Sequence, residues 1–136
     1  MSDLVESASD RELLAGFDAG TLARFPHDDH VRVVYLMVRE GGEQDALARV
    51  TAGIRAMAIA NGKPEAFHAT RTTAWTRIIA DRTAAGTWAD SHAFLEANPD
   101  LLRRDLLSDH YSDALLTSDA ARTAFLPPDL APLPAP

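Results

Sequence analysis

The chain has 136 residues, 13 basic and 20 acidic side chains, a net charge of −7 and no cysteine. That length predicts one domain, and the absence of cysteine excludes disulfides and thiolate metal sites. The acidic surplus argues against nucleic acid as a partner, and no apolar run reaches the ~18 residues of a membrane span.

Twenty-five alanines and twelve arginines favour helix throughout. Residues 1–8 are polar and expected to be mobile. The start, Met1-Ser2-Asp3-Leu4, has neither a basic nor an apolar stretch, so a cytoplasmic protein is expected. Ser9-Asp10-Arg11-Glu12 is a capping-box pattern that predicts a first helix over residues 10–17, broken by Asp18-Ala19-Gly20-Thr21. A second helix is predicted over residues 26–39, with Pro26 at its first position, Asp28 and Asp29 in its first turn and Gly41-Gly42 after it. Leu47, Val50, Ile54 and Met57 recur at the helical period and predict a third helix over residues 43–60, which Asn61-Gly62 ends. Gly53 inside it would permit close helix contact, as in a homodimer, and Glu43 and Asp45 read as a solvated first turn. Pro64 opens a fourth predicted helix that runs to about residue 84, with Phe67, Ala74, Trp75, Ile78 and Ile79 as its apolar stripe.

Thr87-Trp88-Ala89-Asp90 reads as a cap before a helix that ends near residue 97, with Trp88 as an anchor beneath it. Asn98-Pro99-Asp100 restarts the chain, and short helices are expected over residues 112–116 and 118–125. Five prolines crowd the last ten residues, so residues 127–136 should be extended, either loose or strapped across the body. No segment alternates with period two. The expectation is an all-α, compact single-domain helical bundle over residues 9–126, with short C-terminal helices and a Pro-rich tail.

The histidines carry the most information about a site. Around the second helix, His27 falls about 20° and His30 about 40° from Val34, the centre of the apolar face. Arg32, Leu36 and Arg39 fall on the opposite face. On the fourth predicted helix His68 and Thr72 flank the stripe, about 20° and 60° from Trp75, while Arg71 falls near its centre. Such an arginine must snorkel, pair with an acid or meet an anion. Short connections make consecutive helices antiparallel, so the second and fourth should begin at the same end of the bundle. His27, His30 and His68 would then converge with Arg71 and Thr72. Burial and the helix dipoles would keep those imidazoles neutral.

These residues also form a set of motifs: Phe25-x-His27-x-x-His30-Val31-Arg32, Phe67-His68-x-Thr70-x-Thr72-x-Ala74-Trp75, Asn98-Pro99-Asp100-Leu101-Leu102, Tyr111-Ser112 and Phe125-x-x-Pro128-Asp129. The set resembles a largely uncharacterised family of small, all-helical bacterial proteins, over about residues 20–130. The resemblance implies a site at His27, His30 and His68 and implies no particular substrate. The family pattern has an acidic residue after the second-motif histidine and an aliphatic one two positions further on. This chain has Ala69 and Arg71 there, which argues against a carboxylate-dependent role and for a changed ligand.

Four functions compete on these residues. The first is a small enzyme of secondary metabolism without a cofactor, using histidine general acid–base chemistry for isomerisation, cyclisation, elimination or hydrolysis. There His30 and His68 would be catalytic and His27 would support them. Arg71, Thr72 and Thr70 would hold the substrate, and Tyr35 and Trp75 would shape the wall. The second is a zinc or iron site from His27, His30 and His68 with Glu65 as the candidate fourth ligand, although only one Glu-x-x-His occurs where a two-metal bundle has two. The third is a non-catalytic small-molecule pocket. In the fourth the histidines hydrogen-bond backbone carbonyls and serve the core alone.

Overall fold

In the computed structural model, which describes residues 7–136, seven consecutive residues of one helix, Val31 to Met37, are all buried. That helix, α2 (His27–Gly41), is the axis of the fold. It packs against α1 (Ala8–Ala19), α3 (Glu43–Ala60), α4 (Ala69–Ala84) and α5 (Ser91–Ala97). A helix covered on every side has no solvent face, which is why Arg32 and Leu36 are buried, contrary to the expectation of an outward face. Arg39, near the end of α2, is exposed. The architecture is all-α: seven α-helices and short 3-10 turns, with no strand among the described residues. No helix among them is long and apolar enough to cross a membrane. Of residues 1–8, expected to be mobile, residues 1–6 lie outside the described residues, while Ser7 and Ala8 cap and open α1.

Local chemistry sets each boundary. Helix α1 begins two residues earlier than predicted, because Ser7 rather than Ser9 is the cap and its hydroxyl accepts from the Asp10 N–H. Gly42 turns the chain from α2 into α3 at φ 88°, a backbone that side chains disfavour. The fourth helix begins later than predicted. Pro64–Ala66 is a separate 3-10 turn, Phe67 and His68 are extended, and α4 starts at Ala69. After α4 the chain is short pieces: α5, 3-10 turns at Pro99–Leu102 and Leu106–Asp109, α6 (Asp113–Leu116) and α7 (Asp119–Thr123). Asp90, Ser112 and Ser118 cap the three α-helices among them. The tail is strapped to the body. Leu130 donates its N–H to the His110 carbonyl, Tyr111 donates its hydroxyl to the Leu126 carbonyl, and Ser112 donates its N–H to Asp129.

Two buried features tie α1 into the core. Gly53 meets the Phe17 ring: a Cβ there would lie 2.2 Å from Phe17 Cζ, so the close contact that this glycine permits is with α1. Glu43, expected to be solvated, pairs with Arg77 of α4. The second feature is polar. Arg32 donates to Ser91 Oγ at 2.7 Å, Ser9 Oγ at 2.9 Å, and Asp10 and Asp29 at 3.2 Å. Asp10 also accepts from the Ser91 hydroxyl at 2.6 Å and the Ser91 N–H at 3.0 Å. Burial pushes the Asp10 carboxyl up, but the Ser91 bonds and the Arg32 guanidinium together hold it below its ordinary value.

This cluster joins α1, α2 and α5, so removing one partner strands a buried charge. Asp10→Ala should lower the unfolding free energy by about 3 kcal/mol in urea titration, and adding Arg32→Met should recover part of the loss. A single-variant cost below about 1 kcal/mol would show that the cluster contributes little.

Candidate functional site at the start of α2

The residues expected to form one site fall into three groups. The first is a chain of rings at the start of α2. His27 is its first residue, and its ring edge meets Trp75 of α4 with centroids 4.7 Å apart. His30, one turn on, lies 6.2 Å from His27 and 5.8 Å edge-on from Phe25. The N-terminus of α2 therefore lies beside the second turn of α4, and the structure brings His27, His30 and Trp75 together.

His68 is elsewhere. It precedes Trp75 by seven residues, about 10 Å along a helix axis, and among the described residues no ring contact joins it to the first group. Its ring is the N-cap of α4. Nδ1 accepts from the Arg71 N–H at 3.1 Å, and Nε2 donates to the Leu116 carbonyl at 2.8 Å. With both nitrogens engaged, the ring is the neutral Nε2–H tautomer and has no lone pair for a substrate proton. Burial, then the charges of Arg71 and Arg122, hold His68 below its ordinary pKa, against the Leu116 carbonyl. Thr70 lies on the same side of the fold. Its hydroxyl donates to the Ala124 carbonyl at 2.8 Å and accepts from the Leu126 N–H at 3.1 Å, fixing the segment that leads into the tail.

The remaining residues diverge. Arg71 was expected near the centre of a buried stripe and is exposed. Periodicity fixes its direction around α4, but it lies in the first turn. There it lines a surface cavity of about 240 Å³ with Arg104, Asp105, Ser108 and Asp113. Thr72 is buried in α4 and its carbonyl accepts from the Thr76 hydroxyl. Tyr35 belongs to another cluster, stacked on Phe94 at 4.2 Å and edge-on to Trp88, with Arg39 donating to its hydroxyl. Trp88 thus lies against α5 as expected. Glu65 is exposed in its 3-10 turn.

A metal set of His27, His30, His68 and Glu65 is not assembled. Among the described residues no group of three or more His, Cys, Asp or Glu side chains is placed to hold a metal ion. His27 Nε2 donates to the Leu101 carbonyl at 2.8 Å, so that nitrogen carries a proton and is not a ligand.

His30 differs from both. Its Nε2 is buried with no hydrogen-bond partner, and no protein group among the described residues bonds its ring. The other such buried nitrogen is Nε of Arg77, whose guanidinium already bonds Glu43. Burial, then the neighbouring His27, lowers the His30 pKa from 6.5 to about 4. At pH 7 it is a neutral imidazole whose buried Nε2 has no hydrogen-bond partner among the described residues. Sequence spacing placed His30 here. It did not reveal the buried Arg32 cluster, whose signal would have been an arginine in a helix with no polar face.

The His30 shift has a definite sign. Between pH 6.5 and about 4 the unfolded chain binds the proton that the folded chain refuses, so stability falls as pH falls through that window. From pH 7 to pH 4 the parent should lose on the order of 3 kcal/mol that a His30→Gln variant does not lose. Equal losses of unfolding free energy in parent and variant between the two pH values would contradict the depressed pKa. Comparison of the chain with protein-family models, curated proteins and solved structures finds no match.

Proposed function

We propose that this chain is a small-molecule-binding helical protein whose recognition point is His30. The observation that carries it is the buried, unpartnered Nε2 of a neutral imidazole. Buried polar atoms in folded proteins are paired, and the described residues supply no partner here. Phe25 and His27 lie against the His30 ring, and Trp75 packs on His27 in turn. A ligand with one hydrogen-bonding group and a flat or apolar body suits such surroundings.

Acid–base turnover at the same residues is the second reading, and the closeness of His27 to His30 favours it. The lowered His30 pKa opposes it. A base works best with a pKa near the working pH, and about 4 is well below neutrality. A substrate anion bound beside the ring would raise that pKa and restore basicity. His68, with both nitrogens occupied by backbone groups, supports the helix rather than the chemistry in either reading.

Thermal-shift screening of a polar metabolite library against the parent and His30→Ala tests the proposal. Ligands should raise the melting temperature of the parent and leave that of the variant unmoved. Ligand recovered unchanged supports binding, and ligand recovered as product supports turnover. Equal shifts in both proteins would remove His30 from recognition.

A further inference from the structure

A different face of the molecule carries two arginines over apolar side chains. The end of α3, the Pro64–Ala66 turn and α7 enclose a groove of about 270 Å³ lined by Arg55, Ile59, Pro64, Phe67, Arg122 and Thr123. Its floor is apolar, and Ile59 is 66% exposed, the most exposed large hydrophobic side chain described. The Arg55 guanidinium stacks 4.6 Å from the centre of the Phe67 ring, which orients its plane and leaves its N–H edge outward. Among the described residues no carboxylate hydrogen-bonds Arg55. Arg122 approaches Asp119 only at 3.8 Å, and that Asp119 side chain is 98% exposed.

The lining contains no carboxylate, although the chain as a whole has seven more acidic than basic groups. Other cavities differ in this respect. The one beside Arg71 has Asp105 and Asp113 on its rim. In the one beside Phe17 and Gly53, Arg49 is bonded to Asp18 and Glu40.

We propose that this groove binds a small carboxylate with an aliphatic body. The carboxylate would accept from Arg55 and Arg122, for which a guanidinium fork is suited. The alkyl part would cover Ile59, Pro64 and the free edge of Phe67, removing exposed apolar surface from water. The cavity lies at the small end of ligand pockets, so the ligand is of fatty-acid-fragment size rather than a full lipid. The groove shares no residue with the His30 cluster, so the two proposals stand or fall separately.

The test is titration of the ¹⁵N-labelled full chain with octanoate, followed by amide shifts in NMR. Saturable shifts should centre on residues 55, 59, 67, 122 and 123. Arg55→Gln and Arg122→Gln should each weaken octanoate binding roughly tenfold, with melting temperatures unchanged because both side chains lie at the surface. Octanol and inorganic phosphate, each lacking one half of the ligand, should bind more weakly than octanoate. Octanol binding as well as octanoate would overturn the role of the arginines. Phosphate binding as well would overturn the apolar floor. No saturable shift, or binding indifferent to both variants, would overturn the site.

Discussion

The C-terminal part of this chain has little regular structure, so its backbone carbonyls need donors from elsewhere. Imidazole N–H groups supply several of them. His27, at the head of α2, donates to the carbonyl of Leu101, 74 residues away. His68, at the head of α4, donates to Leu116, 48 residues away. His110 places its Nδ1 3.1 Å from the carbonyls of both Ala131 and Pro132, in the tail. A buried carbonyl without a donor is costly, and a rigid ring spans the gap with little loss of side-chain entropy. These bonds fasten short helices and turns onto a core built by α2, α3 and α4.

That role explains why His30 stands apart. The bracing histidines each spend a ring nitrogen on a carbonyl, and His68 spends both on the backbone. His30 spends none, while burial and the nearby His27 keep it neutral. One turn of helix separates a ring used for architecture from one whose buried nitrogen has no partner among the described residues. The proposed recognition point is accordingly this one histidine with its aromatic neighbours.

The long helices were legible because their signals are local. Glu43 to Ala60 follows from the spacing of Leu47, Val50, Ile54 and Met57, and its end from Asn61-Gly62. What the sequence did not disclose depends on three dimensions. Arg32 looks like a surface residue until α1 and α5 cover that side of α2. His68 looks like a first-turn residue of a helix opened by Pro64, but its side chain caps the helix and its own backbone is extended. Angular position around α4 pointed Arg71 inward, yet Thr70 and Thr72 on either side of it are the buried residues and Arg71 lies exposed at the edge of a surface cavity. For the candidate site, spacing correctly joined His27, His30 and Trp75. It also drew in Tyr35, which lies with Phe94 and Trp88, because helical periodicity does not tell which of several neighbours a face meets.

Bracing by imidazole N–H groups is decided most directly by long-range ¹H–¹⁵N NMR of the histidine rings at neutral pH. His68 should show a protonated Nε2 and an unprotonated, accepting Nδ1, and His27 a protonated Nε2, each fixed rather than averaged. Rings that interconvert rapidly between tautomers, as free imidazole does, would contradict it.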